Sequence, residues 1–413
     1  MPFKKRNERE PKAALLRDGK KNVLLLAHNW DYLPLRPYQV ALHLSERGHN
    51  VFLVLPAEKT FSGVGVKQVG RNLSLYFCPT ILRGGLKKGS DPLELIHKIF
   101  FVSTLRYDIV LAFDSRPTVI LPAVFGKFFK RVPLIIDWTD WFGRGGTIKE
   151  RSGTLYRFFF ERVETFFEEH FRGYADSSTV ICRSLENRLR SLGYAKKIHL
   201  FPLGCHPASP MRSERNGLRR KMNLNVDRLL IGCVGSLFAA DAELLFKSFA
   251  LVRNRIDADL LLIGTNNFGE RYKVSSHVIV TGKVSGEDLT AYVSCCDLMV
   301  MPLKNNVANN GRWPSKLNDY LASGKPVVST KISVVTELFN ISEFGLLAED
   351  TPDDFAEKVC DLLNDKERLE SSGKNALGIA SNHLSWPSLM DDLERFILDT
   401  MEANKERPHP KNQ

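Results

Sequence analysis

Arg312, Ser315, Lys316 and Asp319 lie in one short stretch, with Asn310 and Gly311 directly before it. These residue types suit a phosphorylated ligand that also carries hydroxyl groups. Arginine and lysine offer positive charge to a phosphate, and backbone N–H groups at a helix start can donate to it. A carboxylate such as that of Asp319 accepts hydrogen bonds from hydroxyls. A second cluster is Asp137-Trp138-Thr139-Asp140-Trp141. Here Asp140 is the first candidate, and Asp137 the second, for a site residue, because carboxylates at strand ends cluster at ligand sites. The competing reading of Asp137 is a turn cap. His28 closes an apolar run and is a third candidate, although a plain turn histidine explains it equally well. The remaining histidines lack metal-ligand spacing, so no metal is expected.

Each cluster needs elements to hold it. In 309–330 the pattern predicts a polar loop, a short helix and a buried strand. Pro314 suits the first helical position, where its missing N–H is no loss. Leu317, Tyr320 and Leu321 share one helical face, Gly324 stops the helix, and Pro326-Val327-Val328 opens the strand. Upstream, apolar runs at 23–27, 51–55, 73–77, 109–113, 133–137, 180–182 and 198–201 read as strands. Helical patterns at 37–47, 93–105, 118–129, 154–174 and 184–192 separate most of them. This alternation predicts a parallel sheet covered on both faces. Asp137 and His28 then fall at strand ends, where open α/β sheets bind ligands. Gly143, Gly145 and Gly146 suit a mobile loop over a cleft. A second series begins at 229, with strands at 229–234, 260–263, 278–281 and 298–301 and helices at 242–255, 354–363 and 386–401. Ser285 caps a helix between them. The expected division is a tail at 1–20, a first domain at 21–205, a linker at 206–228 and a second domain at 229–384. A last helix follows at 385–403 and a tail at 404–413. The fold class is α/β, with two doubly wound Rossmann-like domains.

Composition narrows the partners. The 413 residues carry a net charge of +11 and a pI of about 9.2, with 43% hydrophobic residues. Nucleic acid, an anionic membrane surface or a phosphorylated ligand could each balance that charge. No basic stretch coincides with a nucleic-acid-binding motif, so nucleic acid is not expected. Seven scattered cysteines without CxxC spacing read as reduced thiols of a cytoplasmic protein. The basic N-terminus lacks the apolar core of a secretory signal, and no apolar run reaches membrane-spanning length. Any membrane contact should therefore be peripheral, on the cytoplasmic face. The phenylalanine-rich segment 154–174 reads first as interior packing and second as an interfacial helix, with its glutamates weighing against anionic lipid. Arg36 and the run 83–88 could meet an anionic acceptor or headgroups, but solvated surface is favoured for both.

Several segments share a resemblance. Leu298-Met299-Val300-Met301-Pro302-Leu303, Trp313-Pro314-Ser315-Lys316-Leu317 and Asp319-Tyr320-Leu321-Ala322-Ser323-Gly324-Lys325-Pro326-Val327-Val328 look like the donor-binding half of a GT-B glycosyltransferase. The nearest group is the large retaining one called family 4, or glycosyl transferases group 1. Ile231-Gly232-Cys233-Val234-Gly235-Ser236-Leu237, Leu262-Ile263-Gly264 and Val280-Thr281-Gly282-Lys283-Val284 resemble the same domain. Val180-Ile181-Cys182-Arg183-Ser184-Leu185 and Phe201-Pro202-Leu203-Gly204 resemble the end of the acceptor domain and the hinge. The likeness runs over about 22–400 and is strongest over 229–347.

The resemblance implies two Rossmann-like domains facing a cleft. It also implies a retaining, hexosyltransferase-like transfer from a nucleotide-diphosphate sugar to an acceptor hydroxyl, with the donor as substrate and no cofactor. The acceptor would be a glycan or a lipid-linked molecule, in glycan or glycolipid assembly. Gly235, Ser236, Lys283, Val284, Asn310, Gly311, Arg312, Ser315, Lys316 and Asp319 would bind the donor, Asp319 at the ribose and 312–315 at the diphosphate. Asp140, Asp137 and His28 would be catalytic. The sequence departs from the family in places. Gly311 stands where the first of two family glutamates is expected, which leaves Asn310 or the backbone to meet the sugar. Ser236 and Ala239-Ala240-Asp241 replace a phosphate-gripping arginine and lysine, a charge that Arg312 and Lys316 can supply. Residues 28–32 replace a glycine pair. Two other readings are a GT-B nucleotide-sugar epimerase and a non-catalytic nucleotide-sugar-binding homologue.

Overall fold

A computed structural model describes residues 19–29, 36–82, 89–150, 154–206, 215–264 and 276–406. The run 83–88 and residues 30–32 lie outside them. The chain forms two units, one from the residues up to Pro202 together with Trp386 onward, the other from Leu203–Ser385.

The N-terminal unit is built on an eight-stranded sheet of order β3-β4-β2-β1-β5-β6-β7-β8. Its strands are β1 (Asn22–Leu26), β2 (Asn50–Pro56), β3 (Gly65–Val69), β4 (Leu73–Cys78), β5 (Ile109–Phe113), β6 (Leu134–Trp138), β7 (Ser177–Val180) and β8 (Ile198–Leu200). All pairings are parallel except β3 with β4. The central strands β5 and β6 are buried on both faces, which explains the unbroken apolar sequence of β5 and the apolar start of β6 ahead of Asp137. The sequence pattern does not show β3. It is an exposed edge strand, GVKQV, whose alternation is too weak to read. The helices are α1 (Arg36–Glu46), α2 (Pro92–Thr104), α3 (Pro117–Lys130), α4 (Thr154–His170) and α5 (Arg183–Ser191). Under one face of the sheet, Phe101 and Val102 of α2 and Val119, Ile120 and Ala123 of α3 join Leu24, Leu26, Val110 and Ile136. Phe167 and Phe171 pack on the same cluster. Both are half-buried, as are Tyr156 and Phe160 of the same segment. Phe158, Phe159 and Phe166 are exposed, which corrects the expectation of interior packing. A helical period cannot bury phenylalanines spread around the whole cylinder when one face covers a sheet.

The C-terminal unit holds a six-stranded, all-parallel sheet of order β11-β10-β9-β12-β13-β14. Its strands are β9 (Leu229–Val234), β10 (Ala258–Ile263), β11 (Val278–Val280), β12 (Leu298–Met301), β13 (Val327–Thr330) and β14 (Gly345–Ala348). Its helices are α6 (Arg215–Lys221), α7 (Ala239–Arg253), α8 (Gly286–Cys295), α9 (Val307–Asn310), α10 (Lys316–Ala322), α11 (Ser333–Phe339), α12 (Pro352–Asn364) and α13 (Lys366–Asn382). The last helix, α14 (Trp386–Lys405), belongs to the N-terminal unit. There Trp386 stacks on His43 of α1 at 6.0 Å, and Asp391 and Glu394 pair with Arg47 at 2.8 and 3.2 Å.

Both sheets have a switch point, where strands wound in opposite directions lie side by side. It falls between β1 and β5 in one sheet and between β9 and β12 in the other. Ligand crevices of open α/β sheets form at the carboxyl ends of such strands.

The segment 206–228 is not wholly a linker. Arg219 of α6 is buried, and its guanidinium meets Asp297 Oδ2 at 2.7 Å, Cys295 O at 2.9 Å and Arg228 O at 3.0 Å. Asp297 also accepts from Leu230 N at 2.8 Å and from Arg215. A polar composition hid this helix because its one inward residue is an arginine. Removing one member of a buried charge pair strands the other. Asp297→Ala should therefore lower the stability of the C-terminal unit by about 3–5 kcal/mol. Chemical denaturation reads this, and an unchanged midpoint would mean that Asp297 does not hold α6.

Candidate functional site

In the C-terminal unit the candidate residues gather at the β9–β12 switch point. Tyr320 fixes α10 there, its hydroxyl accepting from Val234 N at 2.9 Å at the end of β9. The end of α10 is set by Gly324, at φ +61°, with Lys325 N donating to Tyr320 O and Gly324 N to Leu321 O. These paired bonds are the glycine-capped helix ending read from the sequence. Pro314 sits just ahead of α10 instead of at its first position. Its carbonyl accepts from Leu317 N at 2.9 Å, and Ser315 already has helical backbone angles. Trp313 Nε1 donates to Asn318 Oδ1 at 2.8 Å, and Asn318 Nδ2 donates to Leu203 O and Gly204 O.

The two cations converge on the turn between β9 and α7. The Arg312 guanidinium lies over the Phe238 ring at 4.5 Å, and Lys316 Nζ points to Ser236 O at 3.5 Å. Burial pushes the Lys316 ammonium below its ordinary value, and the Arg312 charge adds to that. Phe238, at the N-cap of α7, gives no side-chain cap. The first N–H groups of this helix therefore face the same turn with their positive dipole end. Asp241, in the first turn of α7, is a buried anchor. Its Oδ1 accepts from Lys304 N at 2.7 Å and Asn309 Nδ2 at 3.2 Å. Asn309 also donates to Lys304 O at 2.9 Å and accepts from Arg312 Nη2. Asp241 and Asn309 thus hold the loop that carries Arg312, and sequence reasoning gave neither that role.

Asn310 is engaged within the loop. Its Nδ2 donates to Asn305 Oδ1 and Asn306 O at 2.7 and 2.9 Å, and its Oδ1 accepts from Ser333 N at 2.8 Å. The N–H of Gly311 closes a turn on Val307 O at 2.8 Å. Asn310 Nδ2 and the Gly311 N–H are thus both engaged within the loop. Ser315 is exposed, ahead of α10. The Asp319 carboxylate is mostly buried, and burial raises it to about 6. Among the described residues it has no hydrogen-bond or ion-pair partner. Gly235 and Ser236 form the turn beneath Lys316, whereas Lys283 and Val284 follow β11, two strands away from β9.

In the N-terminal unit, His28 follows β1 and Asp114 follows β5, side by side at the other switch point. His28 Nδ1 is 3.6 Å from Asp114 Oδ2. Asp114 has φ +86°, a backbone strain that is held in place by its surroundings. Sequence reasoning missed Asp114, yet the strand-end rule that singled out Asp137 applies equally to the residue after 109–113.

Asp137 is buried in a two-pronged pair with Arg36. The Nε–Oδ2 and Nη2–Oδ1 distances are 3.0 and 3.1 Å, and Thr179 Oγ1 also donates to Oδ1. Arg36 stacks on the Phe201 ring at 4.1 Å and donates to Phe201 O and Pro202 O. This corrects two readings: Arg36 is not a solvated surface cation, and Asp137 is occupied by a structural partner. Asp140 is half-buried, and its carbonyl accepts from Trp138 Nε1 at 2.9 Å. The loop after it is pinned. Glu168 accepts from Trp138 Nε1, Phe142 N and Gly143 N at 2.8–2.9 Å, and Thr165 Oγ1 accepts from Arg144 N at 2.8 Å. Burial raises Glu168 to about 7 against the pull of these donors. The glycines serve close approach here. A Cβ on Gly143 would stand 2.7 Å from Glu168 Oε2, and one on Gly146 would stand 2.1 Å from Trp141 O.

Residues 228–365 match the family described as glycosyl transferases group 1. An uncharacterized glycosyltransferase of Methanocaldococcus jannaschii is 28% identical over 116 residues, 27% of this chain and 30% of that protein. The match thus spans less than a third of that relative's length. Sucrose-phosphate synthase from Thermosynechococcus elongatus superposes with a TM-score of 0.73 at 14% identity, covering 93% of this chain and all of that one. HepE of Anabaena, solved with UDP and glucose, gives 0.66 at 16% identity over 92% of this chain and all of its own. The fold is the GT-B fold of these structures.

If Asp137 is structural, Arg36→Met and Asp137→Leu should each cost about 3–5 kcal/mol by stranding a buried charge. The double variant should cost less than their sum. A thermodynamic double-mutant cycle checks this. A catalytic Asp137 would instead give an inactive Asp137→Leu of undiminished stability.

Proposed function

We propose that this protein is a glycosyltransferase that moves a sugar from a nucleotide-diphosphate donor to an acceptor hydroxyl with retention of configuration. The observation that carries the reading is the convergence of Arg312 and Lys316 on the β9–α7 turn. Ser236 and Ala239 bring no charge there, and these two side chains bring it from the neighbouring loop. A diphosphate on that turn meets two cations and the uncapped start of α7. Charge on the departing nucleoside diphosphate is stabilised by groups already in place. Asp319 accepts the ribose hydroxyls, and its lack of a protein partner leaves the carboxylate free for them. In the N-terminal unit, His28 with Asp114, and Asp140 nearby in sequence to β6, are the groups to orient the acceptor hydroxyl, in glycan or glycolipid assembly. The complex of HepE with UDP and glucose supports a nucleotide-sugar ligand for this fold.

A second reading, binding of nucleotide sugar without transfer, is favoured by one observation. The place of the first family glutamate is Gly311, and Asn310 beside it is engaged in the loop. Transfer to an added acceptor, measured as release of nucleoside diphosphate, separates the readings.

Asp319 gives the pH test. Its folded value, about 6, lies above the ordinary carboxylate value. The fold therefore favours the protonated form, and stability is lost as pH rises from about 4 to about 6. A hydroxyl-accepting role needs the ionised form, so donor affinity should rise over the upper part of that range. Asp319→Asn should weaken nucleotide-sugar binding at least tenfold, roughly one lost charged hydrogen bond. It should also raise the melting midpoint of the free protein at pH 7–8 by roughly 2–4 °C. Thermal shift with and without UDP-sugars reads both effects, and unchanged affinity in the variant would remove Asp319 from the site.

A further inference from the structure

The helices α2, α3 and α4 cover one face of the N-terminal sheet, and their outward faces are unusually apolar. Ile96 and Phe100 of α2 are 62% and 58% exposed, Phe128 and Phe129 of α3 are 61% and 58%, and Phe158 and Phe159 of α4 are 74% and 59%. Ring contacts make the surface continuous from α3 to α4. Phe128 meets Tyr174 at 6.1 Å, Tyr174 meets His170 at 5.9 Å, and His170 stacks on Phe166 at 5.0 Å. Exposed apolar surface of this extent marks an interaction site.

Charge on the same face selects the partner. The exposed stripe of α4 is Phe159, Arg162, Val163, Phe166 and His170, and it contains no acid. Three of the four glutamates of α4 lie elsewhere: Glu164 pairs with Arg116 at 2.8 Å, Glu168 is buried under the 142–143 backbone, and Glu169 pairs with Arg188. Most of the acids that weighed against anionic lipid in the sequence are therefore buried or paired, and the fourth, Glu161, is half-buried beside the groove next to α4. On α3, Lys130 lies 5.4 Å from the Phe129 ring, and Arg131 is exposed beside it. Lys127 is spent on Asp176 at 2.8 Å. Next to α4 an open groove of about 1000 Å³ is lined by Arg144, Lys149, Arg157 and Arg162, against Glu161 and Glu169.

We propose that this three-helix face docks on an anionic phospholipid bilayer, with the phenylalanines in the headgroup–acyl boundary and Lys130, Arg131 and Arg162 among the phosphates. Aromatic rings interleaved with cations on a broad helical surface are suited to that boundary. Each basic residue near an anionic leaflet adds to the attraction. A second copy of the chain fits poorly, since it would set Lys130, Arg131 and Arg162 against like charges. No helix among the described residues is long and apolar enough to cross a membrane, so the contact lies on the surface.

Vesicle flotation of the full chain tests the proposal, independently of any transferase activity. The protein should float with phosphatidylcholine vesicles containing phosphatidylglycerol, bind pure phosphatidylcholine at least tenfold more weakly, and be released by salt. Phe128→Ser/Phe129→Ser/Phe158→Ser/Phe159→Ser, all at exposed positions, should cut partition at least tenfold with unchanged circular dichroism. Lys130→Glu/Arg162→Glu should do the same for the anionic vesicles alone. Absence of flotation by the wild-type chain overturns the proposal, as does equal flotation of the variants. Self-association in sedimentation velocity that the phenylalanine variant abolishes would assign the face to a second copy and overturn it too.

Discussion

The buried pair of Arg36 and Asp137 decides what the carboxyl edge of the N-terminal sheet can do. A carboxylate at the end of β6 stands where ligands bind, but here it is spent on a guanidinium that also holds the carbonyls of Phe201 and Pro202. Once both charges are out of water, each needs the other, because an unpaired buried ion costs several kcal/mol. Every nitrogen of Arg36 finds an acceptor. The neighbouring strand ends carry other polar groups. These are His28 and Asp114 at the β1–β5 switch point and Asp140 beyond β6. Asp114 keeps a left-handed backbone that a non-glycine residue rarely adopts, a strain that clusters at functional positions.

The C-terminal unit solves a different problem, which is to place positive charge where its own turn has none. The β9–α7 turn, Gly235-Ser236-Leu237-Phe238, carries no charge, and the acid that follows, Asp241, is turned to the loop at 304–309. Through Asn309 that acid holds Arg312 over Phe238. The anchor and the cation are one device: the Asp241 carboxylate is held by amide donors of the loop, and through Asn309 it orients Arg312. Tyr320 does the same for Lys316 by fastening α10 to the end of β9. Both cations thus depend on buried polar contacts instead of on their own short segments.

Much of this was legible in the sequence, and the limits have physical causes. The alternating units, the glycine-capped end of α10 and the loop–helix–strand around Asp319 follow from periodicity and turn chemistry, which act over a few residues. The edge strand β3 and the helix α6 were hidden because their stability comes from a sheet neighbour and from one buried arginine. The glycines at 143 and 146 suggested mobility, yet they permit close contact with Glu168 and Trp141. Asp137 and Arg36 are 101 positions apart in the chain, so no local pattern could pair them. The same holds for Asp241 with Asn309. Short-range rules find candidates for chemistry, and long-range pairing decides which of them are free to perform it.

Helix α4 shows why composition misleads where position does not. Counted together, its phenylalanines, arginines and glutamates give a mixed segment that suggests burial. Sorted by face, three of the four glutamates serve Arg116, Arg188 and the 142–143 backbone, while aromatic and basic side chains remain outside. The acids do two things at once: they hold the loop after β6, close to Asp140, and they leave the outward stripe free of negative charge. A substitution that frees Glu168 from Trp138 and Gly143 would therefore loosen the loop while leaving the outer surface unchanged. A substitution among the exposed phenylalanines would do the reverse. The two faces of one helix are energetically separable, so the loop after β6 and the outer surface can vary independently.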